Sequence, residues 1–459
     1  MADLALDLGA PRAIHIVGVG GSGMSAIATL LVAMGNRVSG SDAVASAVTD
    51  RLAAAGVMVA IGHDGDNVGD VDAVAISTAV LGDNPEVVAA RERGIPVLRR
   101  AEILAAVAAG RRTLAVSGTH GKTTTSAMAA VVLRAAGIDP AYLIGADVAD
   151  LGGAAAWSAG EWFVVEADES DGTFVELGAE AVIVTNVEPD HLEHWGGFDN
   201  LVDAFSRFIG DATGPRVVSA DDRVAAELAA ANGATTYGTS EAADYWMRDL
   251  TLGRDGSSFT LVLDGVRLGE VRVGVPGAHN ARNGAAALVA ALLLGAPFEP
   301  SAKALASFRG VARRYERRGE AAGVTFIDSY DHLPTEVASV LATAKEGGWR
   351  RVVCTFQPHR YSRMSALWQT FADAFVDADL LVITDIYPAG EAPRPGITGK
   401  LVVDAVLDAH PWQPVAYMPT LDDAVGYLAN VLRPGDLCLT LGAGDLTTIP
   451  PLIQERLSR

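Results

Sequence analysis

Along the first hundred residues, short apolar runs alternate with stretches whose apolar positions recur every three or four residues. "AIHIV" reads as a buried strand, "MSAIATLLVAMG" as a helix and "NRVSGSD" as a second strand. "VDAVAISTAV" and "GIPVLRR" continue the series, and the alternation predicts a parallel sheet covered by helices. A second cycle opens at "RRTLAVSGTHGKTTTSAMAAVVLRAAG" and runs through "EWFVVEADES", "AVIVTNVEPDH" and "PRVVSADD". Between residues 245 and 275 the period drops to two. "SSFTLVLDGVRLGEVRVGV" alternates about Asp264-Gly265, a hairpin signal, and predicts a small antiparallel sheet. The helical run "AHNARNGAAALVAALLLG" precedes a basic stretch, "RGVARRYERRG". A third alternation runs from "GVTFIDSY" through "WRRVVCTFQ" and "DLLVITDIY" to "GDLCLTLGAGD". The pattern predicts an α/β chain of three domains, residues 1–109, 110–318 and 319–459, each built on a mainly parallel sheet.

The length of 459 residues suits three domains, and an apolar half of the chain can fill three cores. The net charge of −21 argues against nucleic acid as a partner, since a phosphate-backbone binder needs a basic face. Small anions are still compatible, held by local Arg and Lys. Cys354 and Cys438 sit in strand-like apolar runs and read as buried hydrophobes rather than as a metal or redox pair. A reducing cytoplasm is the expected location. The start "MADLALDLGAPR" has acids where a secretory leader would carry bases, so no leader is expected. Residues 13–36 hold no acid, Lys or Arg, but the glycines clustered there favour strand, turn and helix over a membrane span.

Two glycine loops carry the strongest chemistry. In "GVGGSGMS", Gly18, Gly20 and Gly23 spell G-x-G-x-x-G, with Gly21 and Ser22 between them. Such a turn holds a diphosphate against a helix start, in a Rossmann-like first domain. Asp42 lies 19 residues past Gly23, where a ribose-binding acid is expected. The loop and this acid point to a nucleotide diphosphate, NAD among the candidates, without saying which one. "GTHGKTTT" follows a strand and opens a helix. Gly118, Thr119, His120 and Gly121 can close backbone amides around phosphates, as in a P-loop ATPase. Lys122 then places a cation by the terminal phosphates, and the hydroxyl of Thr123, followed by Thr124, can sit on Mg²⁺. A chain with an ATP loop in its second domain has no need of a dinucleotide in its first.

Acids cluster at expected strand ends: Glu166, Asp168, Glu169 and Asp171, then Asp190 with His191. They form either a solvated loop or, for Glu166 and His191, a metal site beside Thr123. Asn280 and Asn283 lie three apart on one helix face, suited to an adenine edge or to capping the helix. "RRYERR" is a solvated basic face or supplies an arginine to phosphate. In "FQPHRYSR", His359, Arg360 and Arg363 follow a strand and can hold a carboxylate by paired hydrogen bonds.

In this order, "HIVGVGGSGMSAIA", "SGTHGKTTT", "EADESD", "TNVEPDH", "PGAHNARN", "RRYE", "FQPHRYSR", "IYPAGE" and "LGAGD" resemble the Mur ligases, the ATP-dependent amide-forming enzymes of bacterial cell-wall synthesis. The resemblance implies a UDP-sugar domain, an ATP domain and a Rossmann-like amino-acid domain. It implies that the first glycine loop takes the diphosphate of UDP-N-acetylmuramate and not NAD, with Ser41, Asp42, His63 and Thr78 completing that pocket. The implied reaction activates the lactyl carboxylate as an acyl phosphate, which the amine of L-alanine, glycine or serine attacks. A ligase that recycles a tripeptide onto the same sugar is the alternative. Lys122, Glu166 and His191 would be catalytic, with two Mg²⁺ ions, one held by Thr123 and Glu166 and one near His191. Asn280 and Asn283 would contact adenine, Asp328 the ribose and Arg314 phosphate, while Tyr330, His332, His359, Arg360 and Arg363 would hold the amino acid. With Ser206 and Arg207 at the relevant positions, no carbamylated lysine is expected. The chain departs from the family's D-D-Y-[GA]-H-H-P-T-E at "DSYDHLPTE", through Ser329, Asp331 and Leu333. Asp331 is expected to raise the pKa of His332 or to crowd the pocket. The departure is tolerated variation, a change in amino-acid choice, or a cause of low activity.

Overall fold

The computed structural model describes residues 6–458; Met1–Ala5, the start of the expected first domain, and Arg459 lie outside them. The first sheet contains β1 (Ala13–Val17), β2 (Arg37–Asp42), β3 (Met58–Ile61), β4 (Ala73–Ile76) and β5 (Val97–Arg99), in the order β3-β2-β1-β4-β5. All its pairings are parallel. The central strand is buried on both faces, with Ile14 and Ile16 in one apolar cluster and Val17 in another, and His15 is the one polar side chain within it. The helix that follows β1 spans Ser22–Ala33, so residues 13–36 are strand, turn and helix. Among the described residues, no helix is long and apolar enough to cross a membrane.

The second sheet has ten strands: β6 (Arg112–Ser117), β7 (Ala141–Val148), β8 (Gly153–Ala156), β9 (Trp162–Glu166), β10 (Ala181–Val184), β11 (Arg216–Ser219), β12 (Thr235–Gly238), β13 (Tyr245–Gly253), β14 (Gly256–Leu263) and β15 (Val266–Val273). Their order is β15-β14-β13-β12-β11-β10-β6-β9-β7-β8. The segment expected to form a small sheet of its own instead extends this one. β13 pairs in parallel with β12 through Tyr237–Tyr245 and Gly238–Trp246. The hairpin itself falls where expected, with Asp264 at φ 50° and Gly265 at φ 77°, the left-handed pair of a two-residue turn.

The third sheet contains β16 (Glu316–Ala321), β17 (Val324–Ser329), β18 (Arg351–Phe356), β19 (Leu380–Ile383), β20 (Val415–Tyr417) and β21 (Asp436–Leu441), in the order β16-β17-β21-β18-β19-β20. Only β16 runs antiparallel to its neighbour. The boundary expected at residue 318 falls inside β16, so residues 316–318 belong to the third sheet. "ERRGEA" hides its strand character because charged side chains suit an exposed edge. Cys354 and Cys438 are fully buried in β18 and β21 as free thiols. Burial raises the pKa of both, that of Cys438 to about 12, with Asp436 adding to it.

The chain forms two compact units. One holds the first sheet and most of the second; the other comprises residues 251–258, 273–281 and 309–459. The first two sheets cohere because one apolar cluster runs from Ile14 and Met24 through Val107 to Phe163, Phe174 and Phe205. The boundary expected at 109 falls between helix Arg100–Ala108 and β6.

Within the first unit, Glu86 ties helix Pro85–Glu92 to the first sheet. It is fully buried. Ser41 Oγ donates to it at 2.6 Å and Asn67 Nδ2 at 2.7 Å. His63 Nδ1 lies at 3.0 Å and His15 Nε2 at 3.7 Å. Burial alone would raise its pKa, but these four neighbours hold it at about 2, below the ordinary 4.5. Glu86→Gln should therefore destabilise the chain at neutral pH by about 3 kcal/mol. Because the folded pKa is the lower one, this contribution is complete above about pH 4.5 and is lost as pH falls towards 2. Urea unfolding of both forms from neutral pH downward should show the stability gap closing in acid; a constant gap would contradict the assignment.

Candidate active site

The second glycine loop joins β6 to helix Lys122–Ala135. Gly118 has φ 134°, and a Cβ there would overlap Thr185 Oγ1. At Gly121, φ 83°, a Cβ would lie 2.7 Å from Asn283 Oδ1. Both positions demand glycine. The segment after β10 braces the loop. Thr119 N–H donates to the Asn186 carbonyl at 3.1 Å, and His120 N–H to Asn186 Oδ1 at 2.8 Å. Thr185 Oγ1 donates to the His120 carbonyl at 2.6 Å, and Glu188 N–H to Thr119 Oγ1 at 2.8 Å. This bracing role of "TNVE" was not read from the sequence, because it depends on strand order.

Lys122 is drawn into the loop. Its Nζ donates to the Gly118 carbonyl at 2.7 Å and the Thr119 carbonyl at 3.1 Å, and stands 2.7 and 3.0 Å from the two carboxylate oxygens of Glu169. Burial works against the ammonium, but Glu169, then Asp168 and Glu166, outweigh it and keep its pKa above the ordinary lysine value. Thr123 Oγ1 donates to Glu166 Oε1 at 3.0 Å, and Gly145 N–H donates to the other oxygen at 2.7 Å. Thr124 is buried beside them. Thr123 and Glu166 thus place two hard oxygens together at a helix start. This fits Mg²⁺, which takes few protein ligands and keeps water and phosphate oxygens. His191 opens the short helix Leu192–Trp195 at φ 52°, and its Nε2 is 3.3 Å from Asp190 Oδ2. Among the described residues, no cluster of three His, Cys, Asp or Glu side chains forms a metal cage.

The first glycine loop turns from β1 into its helix through Gly18, at φ 73°, then Gly20, Gly21, Ser22 and Gly23. Gly18 and Val19 N–H both donate to the Ser41 carbonyl. Asp42 Oδ2 accepts from Gly20 N–H at 2.9 Å, and a Cβ on Gly20 would meet that oxygen at 2.7 Å. Asp42 therefore fastens the loop directly, a contact beyond the ribose role expected of it. Ser41 and His63 are brought together at Glu86, which the sequence reading missed inside "NPEVVAAR". Thr78 lies in an exposed turn after β4. Arg100, also missed, pairs with Asp171 at 2.8 Å and Asp168 at 3.3 Å.

The two asparagines have different surroundings. Asn280 Nδ2 donates to the Pro276 carbonyl at 2.7 Å, tying the start of helix Ala278–Leu293, and Asn283 stands against Gly121.

In the second unit, Tyr330, His332 and His359 form a chain of rings, with centroids 5.4 and 5.6 Å apart, and His359 stacks on Tyr387 at 5.8 Å. Arg363 Nη1 is 3.3 Å from His359 Nδ1, and exposed Arg360 precedes helix Tyr361–Leu367. Arg314 lies over the Tyr330 ring at 5.3 Å. Asp328 is buried, accepting from Thr440 Oγ1 at 2.6 Å with Arg313 Nε 3.5 Å away. The expected upward shift of His332 is reversed. Burial lowers its pKa to about 4; Glu336 opposes this and Arg363 adds to it. Burial, with His332 and the two arginines, lowers His359 to about 3. Asp331 itself accepts a hydrogen bond from Ser329 Oγ, and burial with Glu336 nearby raises its pKa to about 6.

Comparison with known proteins gives a consistent result. Residues 13–112 match the family model "Mur ligase family, catalytic domain", residues 116–291 "Mur ligase middle domain", and residues 313–444 "Mur ligase, glutamate ligase domain". The chain is 46% identical to UDP-N-acetylmuramate–L-alanine ligase of Solidesulfovibrio magneticus over 95% of this chain and 96% of that one. It is 46% identical to the enzyme of the same name from Kineococcus radiotolerans over 97% and 96%. Its fold matches the crystal structure of UDP-N-acetylmuramate–alanine ligase from Thermotoga maritima, with TM-score 0.82 and 31% identity over 97% of this chain and 99% of that one. A murein peptide ligase from Psychrobacter arcticus shares the fold at TM-score 0.70 and 24% identity, over 98% of this chain and 99% of that one. The chain belongs to the Mur ligase family.

Proposed function

We propose that the chain joins L-alanine to the lactyl carboxylate of UDP-N-acetylmuramate, with ATP as phosphoryl donor, in peptidoglycan precursor synthesis. The observation that carries this reading is the loop at 118–124, with its partly buried, charged lysine beside the Thr123–Glu166 pair. The near-full-length relatives named for this reaction support the substrates. The murein peptide ligase shares the fold alone, so tripeptide recycling is the lesser reading.

A carboxylate is a poor electrophile. The γ-phosphoryl group passes from ATP to a carboxylate oxygen, breaking its bond to the β-phosphate oxygen and releasing ADP. The neutral amine then attacks the acyl carbon, and inorganic phosphate leaves as the amide forms and the amine proton is lost. Loop amides and Lys122 offset the charge gathering on the transferred group. Thr123 and Glu166 would hold one Mg²⁺, with His191 near a second; bound Mg²⁺ supplies charge neutralisation at the phosphates. We assign Asn280 and Asn283 to adenine, Asp328 to ribose and Arg314 to phosphate. The loop at Gly18–Gly23, with Ser41, Asp42, His63 and Thr78, takes the UDP diphosphate, and NAD has no part. Arg360 and Arg363 hold the amino-acid carboxylate, with Tyr330 lining the pocket. His332 and His359 are neutral at pH 7 and do not repel the incoming ammonium. ATP as donor places the reaction in the cytoplasm, where its product supports cell shape and division.

Phosphate release with ATP, Mg²⁺ and UDP-N-acetylmuramate should require alanine over glycine, serine or an alanine-containing tripeptide. Turnover with the tripeptide alone would move the chain to the recycling reaction. Lys122→Met should lower kcat by roughly 10²–10³-fold, read in the same assay. Asp331 should be charged above about pH 6 and neutral below it. The KM for alanine should rise as pH falls through about 6, and Asp331→Asn should remove that inflection; an unchanged inflection in the variant would assign it to another group.

A further inference from the structure

Arg100 stands where the two glycine loops of the first unit come under a common influence. It opens helix Arg100–Ala108, and a Cβ built on Gly23 of the first loop would lie 3.3 Å from its Nη1. Its Nη2 donates to Asp171 Oδ2 at 2.8 Å and Asp168 Oδ2 at 3.3 Å. Those two acids flank Glu169, which holds Lys122, in the segment that follows Glu166, which holds Thr123. The guanidinium is largely shielded, so its pairings are screened less than those of a surface arginine.

We propose that Arg100 is a positioning residue that couples the diphosphate loop at Gly18–Gly23 to the acid segment around Lys122. A planar guanidinium has five donors in a fixed fork. It can keep one edge on Asp168 and Asp171 while another meets a diphosphate at the start of helix Ser22–Ala33. A diphosphate there adds a second anionic anchor to Arg100, restrains the acid segment, and fixes Glu169 and Glu166 about Lys122 and Thr123. Occupancy of the UDP-sugar site thereby improves the site for ATP and Mg²⁺, and by linkage the reverse holds. Lysine, a point charge on a flexible stem, would preserve this only in part.

This inference rests on the proposed substrate pair, and the test separates the two. The Kd of the β,γ-imido analogue of ATP with Mg²⁺ is measured by calorimetry, with and without saturating UDP-N-acetylmuramate. In the unaltered chain the sugar nucleotide should tighten the analogue by about five-fold or more. In Arg100→Gln the ratio should fall to near one, and Arg100→Lys should restore part of it. Asp171→Asn, which leaves Gly23 and the phosphate loop untouched, should also reduce the ratio and guards against a folding defect in the arginine variants. A residue that merely held the fold would weaken both measurements and leave their ratio unchanged. An unaltered ratio in Arg100→Gln, or a ratio of one in the unaltered chain with both ligands bound, would overturn the coupling. Failure of the unaltered chain to bind UDP-N-acetylmuramate would instead overturn the substrate reading beneath it.

Discussion

Most of the candidate chemistry depends on keeping one ammonium charged inside the protein. Lys122 is largely shielded from bulk water, and an unpaired cation there would lose its proton or distort the loop. The chain meets this constraint with a segment of closely spaced acids after β9, so that Glu169 touches the lysine and Asp168 reinforces it. Those acids need compensation in turn, and Arg100 supplies it. The apparent excess of negative charge in "EADESD" is thus the counterpart of cations that the fold brings to it from other elements.

The same economy of charge governs the third sheet. A row of imidazoles and arginines would repel an incoming amino group if all were protonated. Burial keeps His332 and His359 neutral and leaves the positive charge to the arginines. The departures at Ser329 and Asp331 form one local arrangement: the hydroxyl at 329 donates to the carboxylate at 331. An acidic group absent at one position is therefore present two residues along the same segment, with its partner already supplied.

Much of the fold was legible from periodicity, because strands buried on both faces must be uniformly apolar and the helices between them must be amphipathic. The two glycine loops were legible because few sequences satisfy their backbone demands. The edge strand β16 was not, since an exposed, charged strand carries no apolar signature. The attachment of β13–β15 to the central sheet was equally hidden, because local alternation does not name a strand's neighbour. Glu86 and Arg100 escaped for a related reason. Each sits at the start of an unexceptional helix, and its meaning comes from residues distant in the chain. The direction of the His332 shift required knowing how deeply the ring is buried, which an adjacent aspartate in the sequence does not reveal.

The two cysteines have a use unconnected with ligation. Both lie at zero exposure on strands of the third sheet, and the sequence contains no others. A thiol reagent can therefore modify the native chain only when that sheet opens. Labelling rates measured without any substitution would report the opening of the second compact unit alone, while the first stays silent, so the protein carries its own site-specific clock for local unfolding.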